Sequence, residues 1–360
     1  MSECAVQRVS KAPVPVPSPY SVLLADHTTL RVGGPASRFV VARTPDEVAR
    51  LVGEADDAGI PVLILGGGSN MLVCDDGFDG LVVRVAITGL DGNVSDCGGA
   101  VVNVGAGEVW DDFVAHAVEQ GWSGAEALSG IPGSVGATPI QNVGAYGAEV
   151  ADHIYSVRTW DRQARAFRTF AAADCEFSYR NSIFKRTPGR YVVVEVSFQF
   201  PLGSLSAPIR YAELAGRVGV AVGGRADAAL VRSTVLTIRA GKGMVLDAAD
   251  PDTWSAGSFF TNPIVTEEVA ATLPDDAPRF PAGEGMVKTS AAWLIQHSGF
   301  EKGYARERAG LSTKHVLALT NRGGASAEEI VALAREVRDR VAERTGIELV
   351  PEVNLIGCQL

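Results

Sequence analysis

The sequence predicts an α+β fold made of two or three compact units. Short apolar, strand-like runs and amphipathic helical stretches follow one another without the regular alternation that a doubly wound parallel sheet requires. The chain of 360 residues is too long for one small domain. Its composition, 46% hydrophobic and 21% charged, supplies apolar surface for real cores and excludes a chain disordered by composition.

The elements follow in order. Residues 1–19 end in an alternation of proline with small residues, which predicts an extended arm outside the core. Thr44-Pro-Asp-Glu47 is a capping box with proline at the first helical position. Val48, Leu51, Val52 and Ala55 continue at helical spacing, and Gly59 closes the helix. Ile60–Leu65 reads as a buried strand, and Leu81–Ile87 and Val101–Val104 as two more. Val109–Gln120 reads as a helix stopped by Gly121. Residues 153–160 and 190–200 alternate like strands, with Tyr191, Val193, Glu195, Ser197 and Gln199 on one face. Asp227–Arg239 and Thr289–Ser298 read as helices, and Val316–Leu319 as a strand. Ser326-Ala-Glu-Glu329 opens a long helix to about Arg344. Glu348–Ile356 is expected to close the chain as a strand.

Several function classes are excluded. The net charge of −10 argues against non-specific nucleic-acid binding, which needs a basic footprint. An anionic substrate would have to meet locally gathered arginines and lysines. No run approaches the ~18 apolar residues of a membrane span. Five scattered cysteines with no CxxC argue against a disulfide framework or a zinc site, and the five histidines form no HxH or HExxH pair, so no metal site is expected. The N-terminus has no basic stretch leading into an apolar segment, which points to a reduced, cytoplasmic setting. The 40 glycines, without low complexity, point to tight turns and to backbone approaching a ligand.

Leu65-Gly-Gly-Gly-Ser-Asn70 follows a strand and lets successive N–H groups converge on an anion. It matches neither GxGxxG nor the P-loop, and taken alone it reads equally as a plain strand-end turn. Residues 129–147 combine glycines with Ser, Thr, Gln and Asn between apolar residues, a pattern suited to a planar heterocycle or a pyrophosphate. Two such segments imply a dinucleotide held between two lobes. Tyr179-Arg-Asn-Ser-Ile-Phe-Lys185 sets Arg180 and Lys185 amid apolar residues, where an arginine is either a surface cation or a bidentate anion holder. Ser258 sits between a glycine and two aromatics but not in GxSxG, so a hydrolase elbow is unsupported. Glu352 lies within an apolar C-terminal stretch, which makes it paired, protonated, edge-exposed or functional.

In chain order, Leu65–Asn70, Gly130–Gly147, Tyr179–Lys185, Gly257–Pro263, Ser290–Gln296 and Pro351–Val353 together resemble the UDP-N-acetylenolpyruvoylglucosamine reductases of peptidoglycan synthesis. The resemblance implies a two-lobed FAD-binding module of the vanillyl-alcohol-oxidase type with a smaller α+β substrate domain. Its expected boundaries are lobe 1 at 20–90, lobe 2 at 91–235 and the substrate domain at 236–346, with strand 347–360 returning to lobe 1. It implies FAD as cofactor, NADPH as reducing co-substrate and UDP-N-acetylenolpyruvoylglucosamine as the acceptor. It also implies a monomer.

Residue by residue, Ser258 resembles the family's proton donor to C2, and Arg180 with Glu352 resembles the pair that polarises the substrate carboxylate. FAD contacts are implied at Gly66, Gly67, Gly68, Ser69 and Asn70. Further contacts are implied at Ser129, Gly130, Pro132, Gly133, Ser134, Gly136, Gln141, Asn142, Gly144 and Tyr146, and at Arg239. Substrate contacts are implied at Tyr179, Tyr211, Lys242 and Asn262, with Tyr211 in a stretch similar to the tyrosine loop of one subgroup. A related FAD-linked oxidase or dehydrogenase would keep the glycine segments without reason to keep Arg180, Ser258 and Glu352 together. A nucleotide-sugar binder without flavin would have no need of the glycine segments.

Overall fold

Residues 22–360 are described in a computed structural model; the proline-rich arm at 1–19 lies outside them. The first unit comprises β1 (Val22–Leu23), β2 (Pro35–Ala42), α1 (Pro45–Asp57), β3 (Val62–Leu65), β4 (Met71–Val73) and β5 (Phe78–Val85). Its four-stranded sheet has the order β1-β2-β5-β3, parallel except where β1 meets β2. The capping box expected at α1 forms in part: Thr44 Oγ1 accepts from the Glu47 N–H, but the Glu47 carboxylate accepts the N–H of Arg43 rather than that of Thr44. The 60–65 strand departs from expectation. It is an edge strand beside β5 alone, and within β3 only Leu65 is buried.

The second unit contains β6 (Leu90–Ser95), β7 (Gly99–Gly105), α2 (Trp110–Glu119), the short hairpin β8 (Gly144–Ala145) and β9 (Ala148–Glu149), β10 (Ile154–Asp161), β11 (Ala166–Ala171), the single turn α3 (Ile183–Arg186) and β12 (Tyr191–Phe200). Its antiparallel sheet has the order β11-β10-β12-β7-β6. The alternation of β12 is realised, with Val192, Val194, Val196, Phe198 and Phe200 all buried on one face. Both edge strands, β6 and β11, escape sequence reading because an edge strand with an exposed face carries little apolar pattern; every residue of β6 is exposed. Buried Trp110 packs on Phe113 and Phe198, and its Nε1–H donates to the Leu128 carbonyl at 3.0 Å. That bond fixes the entry to the glycine-rich segment that follows.

A two-helix insert, α4 (Ala212–Val218) and α5 (Ala228–Gly241), buries Leu214, Val231 and Val235 in its own small cluster. Asp227 caps α5 by accepting the Leu230 N–H at 2.9 Å. The last unit runs through β13 (Ser255–Ser258), β14 (Ile264–Thr266), α6 (Glu267–Ala271), β15 (Arg279–Pro281), β16 (Met286–Thr289), α7 (Ala291–His297), β17 (Ala305–Arg306), β18 (Ala309–Leu311), β19 (Ala318–Asn321), α8 (Ala327–Thr345) and β20 (Asn354–Ile356). Ser326 and Glu329 form the expected reciprocal capping box at α8. Three boundaries differ from expectation. Ser290 caps α7, leaving Thr289 in β16; β19 lies two residues later than expected; and the closing strand shrinks to β20. At 348–353 the pairing is a single antiparallel bridge, Pro351 opposite Phe260, closed by the Thr261 N–H donating to the Val350 carbonyl at 3.0 Å and the Glu352 N–H donating to the Phe259 carbonyl at 2.8 Å. β20 pairs parallel with β4, Asn354 opposite Met71, so the chain's end runs beside Asn70. Among the described residues no helix is long and apolar enough to cross a membrane.

Candidate active site

The two glycine-rich segments touch. A Cβ on Gly67 would stand 2.7 Å from the Gly133 Cα, and one on Gly133 would stand 2.6 Å from Ser69 Oγ. Gly68 (φ +63°) and Gly133 (φ +124°) adopt backbone that side chains rarely tolerate. Any larger residue would separate two turns whose main chains are in contact.

Beside this junction lies a cavity of about 220 Å³. It gathers the three expected catalytic residues, Arg180, Ser258 and Glu352. Of the expected cofactor residues it is lined by Ser69, Asn70, Pro132, Gly133, Ser134, Gln141, Gly144 and Arg239. Gly66 and Gly67 line a neighbouring depression of about 580 Å³ with His27, Arg31 and Arg84, a basic flank that sequence reading did not find. Gly68, Ser129, Gly130, Gly136, Asn142 and Tyr146 do not line the cavity. Ser129 and Asn142 are wholly buried, and their side chains are committed to the protein: Ser129 Oγ donates to the Glu126 carbonyl, and Asn142 Nδ2 donates to Glu149. The Gly130 N–H is likewise spent on Asp111, which also takes a fork of two bonds from Arg232.

Arg180 sits in a tight turn in which Ser178 and Asn181 exchange backbone hydrogen bonds at 3.1 and 3.0 Å. Its own φ of +52° is left-handed, which costs a non-glycine residue roughly 1–2 kcal/mol and requires outside support. Two bonds give that support: Arg180 Nη2 donates to the Gly144 carbonyl at 2.8 Å, and Lys185 Nζ donates to the Arg180 carbonyl at 3.1 Å. Arg180 Nε lies 2.8 Å from Glu352 Oε1, yet its N–H is not aimed along that contact and makes no hydrogen bond. The pair is thus Coulombic, and a buried donor stays unspent.

Glu352 is held from the opposite side. Gln141 Nε2 donates to Oε1 at 3.2 Å, and Asn70 Nδ2 donates to Gln141 Oε1 at 2.8 Å and to the Glu352 carbonyl at 3.3 Å. Burial pushes the Glu352 carboxyl above the usual range, while Arg180 and Lys185 pull it back. Ser258 ends β13 opposite Ala318, after a register irregularity and a left-handed Gly257 (φ +76°). Among the described residues none hydrogen-bonds the Ser258 hydroxyl, so it is free to serve a molecule in the cavity.

Arg239 reaches the cavity from α5. One Nη2–H goes to the Met244 carbonyl at 2.8 Å, and its buried Nε has no partner. Desolvation lowers its pKa, which marks a cation in want of an anion. A glycine cradle at its side and two unsatisfied guanidinium donors fit a pyrophosphate-bearing cofactor and an anionic substrate.

The expected substrate residues fall into two groups. Tyr179 and Asn262 line an outer groove of about 710 Å³, which Arg180 and Lys185 also line. Asn262 Oδ1 accepts the Ala291 N–H at 3.0 Å, and Lys288 Nζ stands 4.5 Å from the Tyr179 ring. Tyr211 and Lys242 line neither space. Tyr211 meets Tyr146 edge-on at 5.4 Å, and Lys242 Nζ pairs with Glu213 at 2.9 Å. Sequence reading missed the amide relay onto Glu352 and gave no role to Lys185 or Lys288. The signal for Lys185 was its place five residues after Arg180 as a second cation amid apolar residues.

The chain matches two family models: FAD binding domain over residues 36–169, and UDP-N-acetylenolpyruvoylglucosamine reductase, C-terminal domain, over residues 250–356. It is 60% identical to the UDP-N-acetylenolpyruvoylglucosamine reductase of Cutibacterium acnes over 94% of this chain and 90% of that one. It is 52% identical to that of Thermobifida fusca, over 94% of this chain and 98% of the relative. The fold is similar to the crystal structure of the Thermus caldophilus UDP-N-acetylenolpyruvylglucosamine reductase, with a TM-score of 0.63 at 27% identity, covering 94% of this chain and 98% of that one.

Proposed function

Because the chain belongs to the UDP-N-acetylenolpyruvoylglucosamine reductase family, we propose that it reduces UDP-N-acetylenolpyruvoylglucosamine to UDP-N-acetylmuramate with NADPH as reductant. The chain is an FAD-dependent oxidoreductase, with an FAD-binding module and a smaller α+β domain. The observation that carries the proposal is the convergence of Arg180, Glu352 and Ser258 on one cavity beside the paired glycine turns. In the proposed organisation 20–90 and 91–235 form the two cofactor lobes, 236–346 forms the substrate domain, and the protein works as a cytoplasmic monomer.

Ser69, Asn70, Gly133, Ser134 and Arg239 would hold FAD, with Arg239 Nε supplying an unspent donor to a phosphate oxygen. Bound FAD supplies two-electron hydride chemistry between the nicotinamide and the enolpyruvyl group. The protein's part is to position and to polarise. Hydride arriving at C3 places negative charge on C2 and its carboxylate. Arg180, pre-positioned by Gly144 and Lys185, lowers the energy of that charge from a partly buried position. Glu352 orients Arg180 and is itself oriented by Gln141. Ser258 delivers the proton to C2. Its hydroxyl is a weak acid, but the enolate carbon is a strong base and placement governs the rate. Two readouts test this reading: NADPH oxidation that depends on the UDP-sugar, and UDP-N-acetylmuramate detected by mass. NADPH oxidation that runs on oxygen alone, with the UDP-sugar unchanged, favours a flavin oxidase.

A further inference from the structure

Arg180 and Glu352 stand as an ion pair with Nε and Oε1 2.8 Å apart, so Glu352 offsets part of the positive charge that Arg180 offers a substrate. The substrate brings a carboxylate, and its reduction builds further negative charge. Arg239, whose contacts are with Met244 and Tyr146, belongs to the α5 side. Among the described residues, the other cation acting on Glu352 is Lys185. It lines the inner cavity with Ser258 and Glu352 and the outer groove with Tyr179 and Asn262, so it stands where the two spaces meet.

Its mounting is rigid. Ser182 Oγ caps the α3 turn by accepting the Lys185 backbone N–H at 3.3 Å and donates to the Ile140 carbonyl at 2.5 Å, and buried Phe184 anchors the same turn in the core. The ammonium has three donors. One goes to the Arg180 carbonyl at 3.1 Å, and among the described residues the other two have no hydrogen-bond partner.

Building on the function proposed above, we propose that Lys185 supplies the site's surplus positive charge, pinning the strained Arg180 turn and presenting two free N–H donors to the substrate carboxylate. Desolvation and the Arg180 charge lower the lysine's pKa while Glu352 raises it, so an anion arriving at the ammonium would favour its charged form.

The test uses the flavin-loaded enzyme, its Lys185→Gln and Lys185→Arg variants, and two ligands: UDP-N-acetylenolpyruvoylglucosamine, and UDP-N-acetylglucosamine, which lacks the carboxylate. In Lys185→Gln, calorimetric affinity for the carboxylate ligand falls about 10–100-fold, the range expected for a lost charge-assisted hydrogen bond. Affinity for UDP-N-acetylglucosamine and bleaching of the flavin by NADPH stay within about twofold of wild type. Lys185→Arg recovers most of the lost affinity. Equal affinities for both ligands in wild type and Lys185→Gln, or a parallel loss of both, or loss of the flavin itself, overturns the proposal and leaves Lys185 a structural residue. A wild-type enzyme that ignores the UDP-sugar altogether overturns the function proposed above instead.

Discussion

Arg180 and Glu352 meet with Nε 2.8 Å from Oε1, and this contact ties the loop before β12 to the segment that leads into β20. Neither partner could hold the geometry alone. Arg180 occupies left-handed backbone supported by Gly144 and Lys185, and Glu352 hangs from the Gln141–Asn70 amide relay. The glycine segments therefore do more than border a cofactor site: Asn70 and Gln141, from one segment each, fix the carboxylate that orients the arginine.

Ser258→Ala separates the two halves of the proposed reaction. Loss of a general acid typically slows a step 10²–10⁴-fold, about 3–5 kcal/mol. Stopped-flow absorbance at the flavin band is expected to show near-normal reduction by NADPH and reoxidation by the UDP-sugar slowed by about that factor. Equal slowing of both phases would refute the role of Ser258.

Arg239→Met removes the α5 cation whose Nε lies buried and unpartnered. Hydrogen bonds to charged groups are worth roughly 1.5–3 kcal/mol, so the Kd for FAD is expected to rise about 10–100-fold by fluorescence titration. Arg239→Lys keeps the charge but not the fork and is expected to fall between the two. An unchanged Kd in Arg239→Met would remove this arginine from the cofactor site.

Gly67→Ala puts a methyl 2.7 Å from the Gly133 Cα, a backbone atom that cannot swing aside. The expected result is a protein purified with little flavin and destabilised by about 1–3 kcal/mol, the usual cost of overpacking. Gly216→Ala, on α4 with open space at the same position, serves as the control and is expected to keep its flavin.

His315 predicts an acid-side loss of stability. Burial, with Lys242 and Lys302 nearby, pushes its imidazole down to about 4 from an ordinary value of 6.5. The native state therefore keeps the ring neutral while the unfolded chain takes up a proton below about pH 6.5. Stability is full above that pH and falls as the pH drops toward about 4, by on the order of 3 kcal/mol. Burial of His153 acts in the same direction. Thermal melts at pH 7 and 5 check this, and His315→Gln is expected to flatten the difference.

Local signals were legible where the chemistry is local. Ser326 caps its helix as its capping box implies, Thr44 accepts the Glu47 N–H, and the alternation in β12 sets Val192, Val194, Val196, Phe198 and Phe200 on one buried face. The glycine segments pointed to a cradle because only glycine fits where Gly67 and Gly133 approach. Long-range geometry was not legible. The Glu348–Ile356 run looks like a strand, but before β20 it pairs through a single bridge, Pro351 opposite Phe260, and the next residue, Glu352, lines the cavity. Tyr211 and Lys242 were grouped with Tyr179 and Asn262, yet they gather around Tyr146 and Glu213, a clustering that depends on how α4 packs on α5. Asn142, which the resemblance implies as a cofactor contact, spends its amide on Glu149 and the Ser178 carbonyl.

The most direct test of the central claim is an anaerobic visible spectrum of the purified protein, with NADPH added first and UDP-N-acetylenolpyruvoylglucosamine second. The expected result is a flavin band that bleaches with NADPH and returns in full on adding the UDP-sugar without oxygen. A band that bleaches and stays bleached until air is admitted, or no flavin band after reconstitution with FAD, would contradict the proposed reaction.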